Sequence, residues 1–232
     1  SPLLAAQTLE NGKLYQDAAS VYVKFLNDKT GAARCYESGN MIHEAIELHK
    51  ELNNHEKVGD LYMQLKRRGD AFVYYDKVAE GYKLNGQYIK ASLIYKYKME
   101  DPMRSQEILL KGWRDGKDAY NCLNNYFENI RDVKLLHNEI NQVYKNDVHD
   151  TNKEQFLQVL KLEYRKHPEI AAPIREMAYE IVVSRIDKNP SITDDLKAFN
   201  ENNTLLTKDI SRFRLRKSNF LSGLAGSILT KK

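Results

Sequence analysis

One spacing constrains this chain more than any other: a small or apolar residue, two positions, then a tyrosine or its stand-in. It reads Ala19-x-x-Tyr22, Ala33-x-x-Tyr36, Ile46-x-x-His49, Gly59-x-x-Tyr62, Phe72-x-x-Tyr75 and Ser92-x-x-Tyr95. The anchors at 22, 36, 49, 62, 75 and 95 are thus separated by 14, 13, 13, 13 and 20 residues. A short unit repeated along a chain implies stacking of like units. About thirteen residues hold one helix of roughly nine to eleven residues, near 15 Å long, and a tight turn. Such a helix does not persist alone in water and must bury a face on its neighbours. The small residue lets two backbones approach, and the tyrosine three positions on lies over the same face. Its hydroxyl needs a polar partner, so each tip is expected near a layer edge.

Helix stops fall where this reading needs them. Asn11-Gly12, Gly39-Asn40, Asn53-Asn54 and Asn85-Gly86 separate the periodic segments, and Asn and Gly tolerate the left-handed conformation that ends helices. Short helices are expected near 3–11, 14–26, 29–38, 41–52, 55–66, 69–84 and 87–99. Asp101-Pro102 opens the next, which ends at the Gly112 to Gly116 loop. Longer helices follow, near 117–130, 132–146, 151–167, 169–188 and 193–220. Thr151-x-x-Glu154 and Ser191-x-x-Asp194 read as capping boxes. The fold class is therefore all-α: residues 1–116 form a short-helix repeat array, and 117–232 a longer-helix bundle. With 42% apolar residues among 232 and only five prolines, a sizeable helical core is available.

The stretch Ala32-Ala33-Arg34-Cys35-Tyr36-Glu37-Ser38-Gly39, continued by Glu44-Ala45-Ile46-Glu47-Leu48, resembles tetratricopeptide-like repeats. Further copies run from Gly12 to Tyr22 and from Asn85 to Tyr95, so the resemblance covers roughly residues 3 to 99. Two steps make about 26 residues rather than the usual 34. That shortening is similar to the compact helical hairpins of coat-protein and vesicle-adaptor solenoids. The Ala-rich pattern also resembles helical tails of bacterial systems built from a MoxR-type AAA+ ATPase, a von Willebrand A domain and a β-propeller. The resemblance implies a TPR-like α-solenoid that serves as a scaffold for protein partners. It carries over no ligand-contact residue, because the short period departs from the family's groove.

Charge is placed unevenly. Residues 205–232 hold Lys208, Arg212, Arg214, Arg216, Lys217, Lys231 and Lys232 against Asp209, a net +6, so the rest of the +4 chain carries −2. Leu196, Phe199, Asn203, Leu206, Ile210, Phe213, Lys217, Phe220 and Leu224 follow heptad steps. This predicts a basic amphipathic helix, with Arg212, Phe213, Arg214, Arg216, Lys217 and Phe220 as partner-binding residues. The plain alternative is an amphipathic closing helix packed on the preceding one; others are pairing with another chain, including a second copy, or fraying past residue 217, where Ser218, Gly223 and Gly226 weaken helix. Basic and aromatic residues also interleave over Tyr88, Lys90, Tyr95, Lys96, Tyr97 and Lys98. Contact with nucleic acid or an acidic surface is the alternative reading of both segments.

Other chemistry has weak footing. Gly112-Trp113-Arg114-Asp115-Gly116-Lys117-Asp118 is one residue short of a phosphate loop, and Asp118 stands where Ser or Thr is needed. His43 and His49 are six apart, whereas a zinc-protease helix needs four; both read as surface residues. No nucleophile constellation stands out, so the chain is expected not to be an enzyme and to need no cofactor or metal. Cys35 and Cys122 read as buried free thiols of a reducing compartment. No segment is apolar enough over ~18 residues to span a membrane, and a cytoplasmic location is expected.

Overall fold

The computed structural model describes residues 1–200 together with 203, 204, 208, 210 and 212. Among the described residues the regular structure is entirely helical. The α-helices are α1 (Pro2–Asn11), α2 (Tyr15–Leu26), α3 (Lys29–Ser38), α4 (Ile42–Glu51), α5 (His55–Gln64), α6 (Arg68–Leu84), α7 (Tyr88–Leu93), α8 (Pro102–Arg114), α9 (Ala119–Glu128), α10 (Val133–Asp147), α11 (Lys153–Lys166) and α12 (Ala171–Arg185). A π-helical turn, Ile94–Lys98, follows α7; 3-10 helices cover Pro168–Ile170 and Pro190–Phe199. Two compact units form, Ser1–Lys111 and Gly112–Lys232.

In the first unit each helix from α1 to α7 packs on the next in sequence. The junctions share one backbone device. The carbonyls of Leu9, Tyr36, His49, Tyr62 and Tyr82 each accept an N–H from five residues on, at 2.8–2.9 Å. The residue just before each donor is left-handed: Lys13, Asn40, Asn53, Lys66 and Gly86, with φ from 55° to 69°. The Tyr22 and Tyr95 carbonyls accept from six residues on, with Asn27 and Glu100 left-handed. These closures satisfy carbonyls that the last helical turn leaves orphaned. The donor then serves as the first residue of the next helix's entry. Leu14, Met41, Asn54, Arg67 and Gln87 share φ near −90° and ψ of 58–70°. Asp28 and Asp101, the donors of the six-residue closures, cap their helices instead, their carboxylates accepting from Gly31 and Arg104 N–H. Ser1 starts α1 without a side-chain cap, although Pro2 occupies the first turn as expected.

This device corrects the sequence register at one place. The carbonyl acceptors lie at 9, 22, 36, 49, 62, 82 and 95. The anchor of α6 is therefore Ala79-x-x-Tyr82, not Phe72-x-x-Tyr75. Phe72 is only half-buried, while Ala79 is fully buried. α6 has 17 residues where α5 has 10. The extra seven make two turns, which keeps the buried face aligned. Tyr75 and Tyr82 thus share a face.

Packing follows the small-residue rule. Ala6, Ala18, Ala19, Tyr22, Ala32 and Cys35 form one buried cluster. Tyr22, Tyr62, Tyr75 and Tyr95 are buried; Tyr36, expected among them, is half-buried. Gly31 and Gly59 mark the closest approaches. A Cβ on Gly59 would lie 2.5 Å from the Tyr75 ring, and one on Gly31 would lie 2.7 Å from the Tyr22 ring.

In the second unit Trp113 is buried and its indole N–H donates to the Asp147 carbonyl at 3.2 Å. Its ring meets Phe156, which stacks on Tyr144. α11 packs on α9 and α12. The expected cap at Thr151 is replaced: Asn152 begins α11 without a side-chain cap bond, and Glu154 instead accepts from Arg185 and Asn189.

The expected long helix from residue 193 does not start as an α-helix. Pro190–Phe199 is 3-10, and Asn200 leaves helical space with φ −149° and ψ 48°. Thr193 Oγ1 donates to the Pro190 carbonyl and Asn200 Nδ2 to the Leu196 carbonyl. Short polar side chains that bond nearby backbone compete with α-helix. Ser191 caps nothing; its hydroxyl bonds Asn189.

Candidate functional site

Three of the buried tyrosines of the first unit, Tyr22, Tyr75 and Tyr95, each end on a carboxylate that also holds a cation. Tyr22 Oη donates to Glu10 at 3.2 Å, and Arg34 pairs with the same carboxylate at 3.1 Å. Tyr75 Oη donates to Asp60 at 2.7 Å, where Lys98 also binds at 2.7 Å. Tyr95 Oη donates to Asp76 at 3.1 Å, shared with Arg104 at 3.1 Å. In the fourth member His49 Nε2 lies 2.7 Å from Glu37, which Lys57 reaches at 3.4 Å. Arg34, Lys98 and Arg104 also stand over the Tyr22, Tyr75 and Tyr95 rings. Each set links three successive elements, so a cation from one layer neutralises a carboxylate two elements earlier. Burial and the neighbouring carboxylate raise the Tyr22 and Tyr75 pKa values. Burial, with Asp76 adding to it, pushes Tyr95 to about 12. Burial works against the Lys98 ammonium, but Asp60 and Glu56 outweigh it and raise its pKa. These are interlayer clamps, which the sequence anticipated only as polar partners for the tyrosine tips.

His49 departs from its sequence reading. It is buried, not on the surface, and bonds Glu37. His43 is exposed. Among the described residues no group of three His, Cys, Asp or Glu is placed to hold a metal ion. The Gly112 to Lys117 loop is another helix closure: Lys117 N–H donates to the Gly112 carbonyl at 3.1 Å around left-handed Gly116. Both thiols are buried; burial raises the Cys35 pKa and pushes Cys122 to about 12, which keeps them protonated.

One depression in the first unit follows from the long α6. Because α6 runs two turns further than α5, its last turns and the start of α7 extend beyond the first turn of α5. The step left there is an open groove of about 270 Å³, lined by Glu56 of α5, Tyr82 of α6, and Lys90, Leu93, Ile94, Tyr97 and Lys98 of α7 and its π-turn. The π-turn shapes that lining. Met99 N–H bonds the Ile94 carbonyl at 3.1 Å, one residue beyond α-helical spacing. Such turns re-aim side chains and recur at functional sites. Apolar surface is exposed here: Tyr97 at 67% and Leu93 at 44%. Of the interleaved basic and aromatic residues read from the sequence, the structure gathers Lys90, Tyr97 and Lys98 at this groove, and turns Tyr95 into the core.

Of the six tail residues predicted to bind a partner, Arg212 is described: it is helical and exposed. Phe213, Arg214, Arg216, Lys217 and Phe220 lie outside the described residues. The start of the heptad seam is buried, with Leu196 and Phe199 in the core and the Phe199 ring edge-on to Tyr164 at 5.1 Å. Among the described residues no helix is long and apolar enough to cross a membrane.

No family model, curated protein or solved structure matches the chain.

Proposed function

We propose that the chain is a non-enzymatic scaffold that binds a protein partner within a larger assembly, built as a TPR-like α-solenoid of short helical hairpins in its first unit. The observation that carries this reading is the recurrent junction from α1 to α7. The same five-residue closure and entry geometry recur at five of the six junctions, all but α2–α3, while each helix packs on the next. Nearest-neighbour stacking of this kind yields extended surfaces suited to protein partners. The exposed apolar step at Leu93 and Tyr97 adds a place for one.

A second reading rests on the +6 charge of residues 205–232. Those residues would contact nucleic acid or another acidic surface through Arg212, Arg214, Arg216 and Lys217. Affinity capture separates the two readings. The full chain is compared with a chain truncated after Lys208, each with and without nuclease. A protein partner retained through nuclease treatment supports the scaffold. Loss of all partners on nuclease treatment transfers the function to the tail.

A further inference from the structure

We propose that the step between α5 and α7 is the docking site for an acidic–apolar peptide segment of a protein partner, about two helical turns long. The proposal rests on the scaffold reading and names the site and the chemistry of its occupant.

The argument begins with the seven extra residues of α6. Lys98 lies beside Asp60 and Glu56, which fixes how α7 and its π-turn run past α5. Lys90 is eight residues earlier, more than two turns back along that line. α5 begins at His55, so Lys90 lies past its start. There the chain supplies two turns of α6 and α7 without the matching turns of α5. The missing length is about 10 Å at 1.5 Å per residue.

Charge makes the step selective. In the first unit the cations facing a neighbouring layer are matched: Arg34 by Glu10, Lys57 by Glu37, Lys98 by Asp60, Arg104 by Asp76. Lys57 stands five residues before its helix's closing carbonyl at Tyr62, and Lys90 stands five before that at Tyr95. Lys57 finds Glu37, the residue after the Tyr36 closure. The equivalent position after the Tyr62 closure is Met63. Among the described residues Lys90 makes no ion pair and lies 5.6 Å over the Tyr82 ring. A carboxylate from outside the chain restores the match. Glu56 is already matched by Lys98 at 3.5 Å, which leaves Lys90 as the unmatched charge of the step.

Apolar surface completes the specification. Leu93 and Tyr97 are one turn apart in the lining, which Tyr82 shares. A peptide carrying Asp or Glu one turn from Leu, Phe or Tyr meets Lys90 with the first and this lining with the second. Since Lys90 is exposed, the ion pair contributes mostly selectivity, and burial of the apolar side chain contributes most of the affinity.

The test is a selection of random twelve-residue peptides displayed on phage against the full chain. The enriched peptide is then synthesised with a fluorophore and its binding followed by anisotropy. The expected consensus pairs an acidic with an apolar residue three or four positions apart. Lys90→Glu is expected to weaken binding at least tenfold, and a peptide with lysine in place of its acid is expected to recover on that variant. Tyr97→Ala is expected to weaken the original peptide without altering helicity by circular dichroism. Enrichment without acidic bias, or unchanged affinity in Lys90→Glu and Tyr97→Ala, overturns the proposal. A labelled fifteen-residue oligothymidylate that binds the full chain and loses binding on Lys90→Glu overturns it in favour of nucleic acid. If the double variant Lys90→Glu/Tyr97→Ala still captures every nuclease-resistant partner of the parent chain, the step is overturned while the scaffold reading stands.

Discussion

Gly59 and Tyr75 are in direct apposition: a Cβ at Gly59 would lie 2.5 Å from Tyr75 Cε1. The ring is held from both ends. Its hydroxyl donates to Asp60, one residue beyond the glycine, and the ring itself is 2% exposed. Alanine normally improves a helix interior by about 1 kcal/mol over glycine. Here it forces a buried ring to move, and overpacking costs about 1–3 kcal/mol. Gly59→Ala is expected to destabilise the protein in urea titrations, with an unchanged m-value. Tyr75→Phe, which keeps the ring and removes the hydroxyl, is expected to cost about 1 kcal/mol.

The left-handed junctions predict opposite signs for two glycine changes. Lys66 ends α5 at φ 58° and is exposed. A side chain in that conformation costs roughly 1–2 kcal/mol. Glycine removes the strain but gives back about 0.5–1 kcal/mol in unfolded-state entropy. Lys66→Gly is therefore expected to stabilise by about 0.5–1 kcal/mol. Gly86→Ala, at φ 69°, is expected to destabilise by a similar amount. Both are read from urea midpoints.

Glu163 predicts a pH dependence. Its side chain on α11 is 1% exposed, and Oε1 has no hydrogen-bond partner. Lys166 lies 4.0 Å away and His167 3.5 Å away. Burial raises the Glu163 pKa; Lys166 and His167 pull it down less than burial pushes, and Glu128 adds to the rise. The folded state thus holds its proton to higher pH than the unfolded state does. This contribution to stability is full below the unfolded carboxylate pKa and is lost as pH rises through the folded one. Glu163→Gln is expected to raise the melting temperature at neutral pH and to reduce the decline between acid and neutral pH. An unchanged slope on scanning calorimetry counts against the assignment.

Much of this was written in the spacing, and the errors have physical causes. The helix stops at Asn40, Asn53 and Gly86 are left-handed where the sequence placed them. At Asn11-Gly12 α1 ends as expected, but Gly12 stays at φ −78° and the left-handed position falls on Lys13; Lys66 and Glu100 take the same conformation without a sequence signal, because tertiary packing imposes the turn on residues that do not prefer it. Tyr75 was read as the α6 anchor because it lies seven residues from Tyr82, two whole turns, and spacing alone cannot separate positions that share a face. The 20-residue step held the information that α6 is long, and the groove follows from that length. The carboxylates under the tyrosine tips were not legible. Glu10, Asp60 and Asp76 precede their tyrosines by 12, 15 and 19 residues, and no fixed interval marks them. The π-turn at Ile94–Lys98 and the 3-10 run at Pro190–Phe199 depend on local hydrogen bonds that periodicity does not encode.

The length of α6 can itself be tested. Excising Asp76–Tyr82 removes seven residues and turns the following chain by only about 20° relative to two full turns. It also places Gly86 four residues after Tyr75, the interval that separates Tyr82 from Gly86 in the parent, so the α6 closure can re-form on the Tyr75 carbonyl. The excised chain loses Ala79 from the core and Asp76 from the Tyr95–Arg104 clamp, and its stability is expected to fall. It is still expected to unfold cooperatively and to keep its helical circular dichroism. Excising Asp76–Glu80 instead removes five residues and rotates the rest of the chain by about 140°. That rotation turns the Tyr82 face away from α5, and loss of cooperative unfolding is expected. Equal behaviour of the two deletions would show that register along α6 does not govern the packing. The seven-residue deletion also removes the overhang, so a peptide selected on the parent chain is expected to lose binding to it even though the fold survives.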